Sequence, residues 1–206
     1  MLTRRAVAGL LSLGVAHPAH GFELAPLRVQ FRADVTRESC VQLEEAVDAR
    51  VAQRRTLMRH LRGAIASDVE LPPPPIHLHV TSGGGSLLSA LYMYDYLSEV
   101  PALHTHAEGL VASAATLLTV VGAHRTMTKH SMMLVHQPSV AAAERELKFA
   151  DARDEFLNLQ KCTTALLGIY NATTTMEYAD LVTLVQNEQF LTARECLQYG
   201  FIDEIV

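Results

Sequence analysis

Hydrophobic and polar residues change their spacing several times along this chain, and each change marks an element. From Ser39 to about Ser67 the residues Leu43, Val47, Val51, Leu57, Leu61 and Ile65 mostly recur at helical intervals, which predicts one long amphipathic helix. Ser39 followed by Gln42 is a capping-box signature at its start. The proline run Pro72 to Pro75 cannot continue a helix. After it Ile76, Leu78 and Val80 alternate with His77, His79 and Thr81, the period of a strand that leads straight into Ser82-Gly83-Gly84-Gly85.

The pattern is helical again from Leu87 to Pro101. Leu103 to Thr105 then reads as a strand, Gly109 breaks it, and Ser113 opens an apolar helix that ends near Gly122. A third strand, Met132 to Val135, closes on His136-Gln137-Pro138, and a helical stretch follows from about Ala142 to Tyr170. Capping boxes predict two more helices, one at Thr174 with Glu177 and one at Thr192 with Glu195. The second stops at Gly200, before a short strand from Phe201 to Asp203. Strands alternating with helices predict right-handed crossovers and an α/β fold, with repeated strand-turn-helix units and a mainly parallel sheet covered by helices.

Composition narrows the class. With 206 residues, 49% apolar and 19% charged, the chain is expected to hold one hydrophobic core rather than to stay disordered. The net charge is −5, and the arginines at 50, 54, 55, 59 and 62 follow directly on Glu44, Glu45 and Asp48, which argues against a nucleic-acid partner. Cys40, Cys162 and Cys196 are odd in number and form no C-x-x-C pair, so buried thiols are expected rather than disulfides or a zinc site. No apolar run approaches the ~18 to 20 residues of a transmembrane helix. Residues 1–22 differ in kind: Arg4 and Arg5 precede an apolar run from Ala6 to Ala16, and no acidic residue occurs before Glu23. That is a targeting pattern, which suits an organelle transit peptide (mitochondrion or plastid) and also a secretory or twin-arginine signal. Residues 23–206 are left as one domain.

In an α/β architecture reactive groups collect where strands end and helices begin, which selects residues 83–86, residues 109–114 and His136. Small residues surround Ser113, namely Gly109, Ala112, Ala114 and Ala115, so nothing bulky crowds its hydroxyl. An oxyanion formed there would meet free N–H groups and the positive end of a helix dipole. Gly85 and Ala114 are the candidate donors. A glycine-rich turn also cradles phosphates, but neither G-K-[ST] nor G-x-G-x-x-G follows here. A serine nucleophile needs a base, and among ten histidines the pattern alone does not choose, although His136 ends an apolar strand. His77 with His79, and His104 with His106, each share a strand face, which permits metal ligation; solvent-facing strand histidines account for both pairs without a metal.

Taken in order, Ser82 to Gly85, Gly109-Leu110-Val111-Ala112-Ser113-Ala114, Leu134-Val135-His136-Gln137-Pro138, and Phe190-Leu191-Thr192-Ala193 with Tyr199 to Asp203 resemble the ClpP family of Clp protease proteolytic subunits over most of residues 38–206. The resemblance implies a crotonase-like α/β fold and a serine endopeptidase that cuts unfolded polypeptides through an acyl-enzyme. It also implies assembly into stacked heptameric rings, a Clp-type ATPase as partner, and no cofactor or metal. By position Ser113 matches the family's nucleophile, His136 its base, and Gly85 with Ala114 its oxyanion donors. The spacing of 23 positions from Ser113 to His136 suggests a shortened loop near His124 and Arg125. Where family members carry Asp two residues before the Phe of the Phe-Leu-Thr/Ser-Ala segment, this chain has Glu188, the expected third member. The glycine-rich strand that follows His-Gln-Pro in the family is replaced by Ser139 to Glu144, whose alanines favour helix. These departures leave a second expectation open, a weakly active or inactive structural subunit of a mixed ring, and the shared fold a third, an acyl-CoA-binding crotonase.

Overall fold

The computed structural model describes residues 27–64, 72–139 and 148–206. The expected targeting segment and the alanine-rich stretch after Ser139 lie outside these residues, the latter except for Ser139 itself. Among the described residues seven strands form one sheet: β1 Arg28–Phe31, β2 Ile76–Ser82, β3 Leu103–Ala112, β4 His124–Met127, β5 Met132–Leu134, β6 Phe190–Thr192 and β7 Glu204–Ile205. Their main order is β1-β2-β3-β4-β7, every pair parallel. β5 runs parallel to the upper part of β3 and pairs antiparallel with β6. The mainly parallel, helix-covered sheet expected from the sequence is present.

Six α-helices join these strands among the described residues: α1 Arg37–Ala64, α2 Leu87–Ser98, α3 Leu117–Val120, α4 Phe149–Thr173, α5 Tyr178–Val185 and α6 Ala193–Tyr199. Alternation sorts the two faces of the sheet. Ile76, Leu78 and Val80 of β2 and Leu103, Thr105 and Ala107 of β3 are buried; the residues between them are half-buried. Cys40, Leu43 and Val47 of α1 and Ala90, Met93 and Leu97 of α2 belong to the same core cluster as the strand residues. Each such large apolar side chain contributes roughly 1.5–3 kcal/mol by leaving water.

Several local expectations are corrected. The long helix begins two residues early, at Arg37. Thr36 Oγ1 accepts from the Ser39 N–H at 3.1 Å while Ser39 Oγ accepts from the Thr36 N–H at 2.9 Å, so Ser39 closes the box from inside the helix and Gln42 takes no part. Gly109 does not end β3. It sits at φ +65° in an irregularity where Val80 and Ser82 of β2 face Ala107 and Val111, and the strand continues to Ala112. His124 and Arg125 themselves open strand β4, and residues 121–123 form the short connection before it. The apolar helix expected from Ser113 to near Gly122 is present in a tighter form: a 3-10 turn, Ser113–Thr116, passes into the single α-helical turn of α3. Thr174 terminates α4, and Glu177 stands at the N-cap of α5 without a side-chain cap bond. The capping box of Thr192 with Glu195 and the left-handed Gly200 stop are both present, but the strand beyond is β7 at Glu204–Ile205. Cys40 and Cys196 are buried and Cys162 is half-buried, all free thiols. No helix among the described residues is long and apolar enough to cross a membrane.

Candidate active site

The chain segments that follow β2, β3 and β5 meet in one cleft of about 200 Å3, whose walls include Gly85, Ser113, Ala114, His136 and Leu166. A wider surface groove of about 630 Å3 borders the same glycine loop and the segment 34–37, but neither Ser113 nor His136 lines it. Ser113 and His136 therefore share the smaller cleft.

Ser113 turns the chain at the end of β3 with φ +56°, a left-handed backbone that a residue with a β-carbon adopts at a cost of order 1–3 kcal/mol. The strain is held from below. Thr116 Oγ1 donates to the Ser113 carbonyl at 2.6 Å and lies 2.6 Å from the hydroxyl of Tyr170, which is fully buried. Across the cleft the glycine loop packs so tightly that side chains are excluded. A β-carbon on Gly84 would stand 2.6 Å from Cβ of Ser113 and 2.7 Å from the Ala112 carbonyl oxygen. One on Gly85, at φ +141°, would stand 2.4 Å from the Val35 carbonyl oxygen.

Val35 clamps this loop from its other side. Its N–H donates to the Gly84 carbonyl and its own carbonyl accepts from the Ser86 N–H, both at 2.7 Å, forming an isolated parallel bridge with Gly85. Between those two bonds the Gly85 N–H has no acceptor among the described residues. The Ala114 N–H lies in the first turn of the 3-10 segment, where helical bonding provides no acceptor. Both donors border the cleft that holds the Ser113 hydroxyl.

His136 lies two residues beyond β5, and its neighbour is tied down by a 2.7 Å bond from the Gln137 N–H to the Val185 carbonyl. Nε2 of His136 is 2.8 Å from Oγ of Ser113, a hydrogen bond that passes the hydroxyl proton to the ring if Nδ1 carries the other proton. The antiparallel pairing of Leu134 with Phe190, continued two residues along each chain, brings Glu188 opposite His136. Its Oε1 reaches Nδ1 only at 3.4 Å, and its side chain is 76% exposed while that of His136 is 19% exposed. Serine and imidazole are thus aligned at close range, and the carboxylate sits at their solvent edge. Val35, Gly84, Thr116 and Tyr170 carried no sequence signal for their part in this arrangement, except that Gly84 belongs to the glycine run.

The four strand histidines do not form separate solvent-facing pairs; parallel pairing gathers them, with His124, on one sheet face. Among the described residues no three His, Cys, Asp or Glu side chains are placed to hold a metal ion.

Residues 28–206 match the Clp protease family model. A curated relative is the ATP-dependent Clp protease proteolytic subunit of Bdellovibrio bacteriovorus, 27% identical over 142 residues, an overlap that covers 68% of this chain and 67% of that protein.

Proposed function

Because the chain belongs to the Clp protease family, we propose that it is the proteolytic subunit of an ATP-dependent Clp protease, a serine endopeptidase that hydrolyses unfolded polypeptides to short peptides. The observation that carries this reading is the 2.8 Å contact between Ser113 Oγ and His136 Nε2, set beside two unengaged backbone donors. In the proposed cycle Ser113 attacks the scissile carbonyl as His136 takes its proton. The N–H groups of Gly85 and Ala114 hold the oxyanion, and the imidazolium then protonates the departing amine. Water repeats the sequence on the acyl-enzyme and frees Ser113. Glu188 is the group available to hold the Nδ1 proton and the imidazolium charge. No metal or cofactor enters any of these steps. Partners on this reading are a Clp-type ATPase that unfolds and feeds the substrate and further subunits that complete a heptameric ring. Residues 1–22 would direct the chain to its compartment.

A second reading, a weakly active or inactive structural subunit of a mixed ring, is favoured by one observation, the long and exposed contact of Glu188 with His136. Fluorophosphonate labelling of the assembled protein, followed by peptide mapping, separates the two. An adduct on Ser113 that is lost in Ser113→Ala is the expected result. Assembled wild-type protein that takes no adduct would assign the structural role instead.

A further inference from the structure

Half of the ten histidines lie on one face of the sheet, opposite the buried core residues of the same strands. Parallel register sets His77 of β2 against His104 of β3, His79 against His106, and His104 against His124 of β4. The rings touch. His79 stacks on His106 with centroids 4.3 Å apart, and His77 on His106 at 5.1 Å. His104 meets His77 edge-on at 5.4 Å and His124 at 5.3 Å.

Hydrogen bonds link the rings of this ladder to one another and to their neighbours. Nδ1 of His77 is 2.8 Å from Nε2 of His106, whose Nδ1 is 2.7 Å from the hydroxyl of Thr126 on β4. Nδ1 of His79 is 2.7 Å from the Glu108 carboxylate, and Nε2 of His124 is 3.2 Å from that of Glu204 on β7. Arg28 of β1 and Arg32, just beyond it, approach Glu108 at 3.7 Å. Two carboxylates thus face five imidazoles and two guanidinium groups. An imidazole–imidazole bond needs one lone pair, so His77 and His106 cannot both be cations without two N–H groups confronting each other at 2.8 Å.

Burial, and then the charges of His79 and His77, push His106 down to about 4; burial first and neighbouring imidazoles second also lower His77 and His104. The folded chain therefore binds fewer protons here than the unfolded chain does. Stability from these rings is complete above the ordinary histidine value of about 6.5 and is lost as pH falls from there toward their folded values.

The position of the ladder gives this a consequence. β2 runs directly into the glycine loop and β3 into Ser113, and the rung between His79 and His106 joins these two strands below the cleft. We propose that the histidine ladder is an acid-sensitive latch: protonation loosens the pairing of β2, β3 and β4 and so draws the glycine loop away from Ser113. The loosening of the sheet stands on the ladder alone; the loss of acylation that follows rests on the peptidase reading.

The test combines denaturant unfolding with hydrogen exchange of the β2 and β3 amides, corrected for intrinsic exchange rates, between pH 7.5 and pH 4.5, on wild type and on His77→Gln/His106→Gln. Each ring that takes up a proton on unfolding steepens the unfolding constant by up to about tenfold per pH unit. The double variant should lose up to two such factors and keep its β2–β3 protection in acid. His104→Gln, which removes a ring without breaking the bond between His77 and His106, provides the same comparison should the double variant fold poorly. An unchanged pH slope in both variants overturns the latch and leaves the peptidase reading intact. Absence of fluorophosphonate labelling at every pH overturns the peptidase reading and leaves the slope comparison in force.

Discussion

Glu188 meets His136 from the solvent side, 3.4 Å from Nδ1 and with most of its side chain in water. An exposed ion pair of this length is worth about 0–1 kcal/mol. A buried carboxylate locked to the imidazole, by contrast, supports about 10⁴-fold in turnover. Glu188→Ala is therefore expected to slow acylation of Ser113 by fluorophosphonate by no more than about fivefold, with the deficit shrinking further at high salt. A loss of several hundredfold in stopped labelling reactions would show that the carboxylate closes on the ring during the reaction.

The glycine loop leaves no such latitude. In Gly84→Ala the new methyl would collide with Ser113 and Ala112, and in Gly85→Ala with Val35, at backbone angles of +103° and +141° that disfavour any side chain. Both variants should label at least a hundredfold more slowly than wild type, because a donor displaced from an oxyanion costs about 10²–10³ in rate. Circular dichroism distinguishes a displaced loop from an unfolded chain, and Gly63→Ala, where nothing lies within 4 Å, is the matched control expected to behave as wild type.

Tyr170 reaches the turn at Ser113 through Thr116. Removing its hydroxyl in Tyr170→Phe takes away one buried bond and leaves Thr116 bonded to the Ser113 carbonyl, which predicts a loss of about 1 kcal/mol. Thr116→Val removes both bonds and leaves the Tyr170 hydroxyl buried without a partner, so the cost rises to about 1–3 kcal/mol. The two variants and their combination, compared by urea denaturation, should be non-additive, since all three changes act on one contact.

At the far edge of the sheet Arg125 holds Asp203 through Nε and Nη2 at 3.1 and 2.6 Å and donates from Nη1 to the Thr173 carbonyl at 2.6 Å. The hydrogen bond from Arg125 pulls the Asp203 carboxyl below its ordinary range. Its contribution is present above an ordinary aspartate value of about 3.9 and fades as pH falls through the lower folded value. It amounts to on the order of 1 kcal/mol, discounted for a side chain 37% exposed. Asp203→Asn should flatten the stability profile below about pH 4.

Long elements with a single period were legible in the amino-acid pattern. β2, α2, the placing of Ser113 at a helical start and that of His136 at a strand end follow from local spacing, and Thr192 with Glu195 from cap chemistry. β1, β4 and β6 were not, because three or four residues complete too few repeats to show alternation and their apolar members are filled in by partners far along the chain. Gly109 looked like a break because a bulge and a turn use the same residue. The histidine ladder was equally hidden. Each pair could be read from its own strand, but their meeting depends on a register between segments almost thirty residues apart.

The bridge between Val35 and Gly85 ties the loop beside Ser113 to the first strand of the sheet. Leu27 already accepts a hydrogen bond from His77, β1 follows at once, and Val35 then pins the loop beside Ser113. A cut between β1 and Val35 would disconnect the sheet edge from the loop, and one beyond Val35 would release the loop itself. The integrity of the chain from Leu27 to Val35 is thereby a requirement of the cleft beside Ser113 and not of the sheet edge alone.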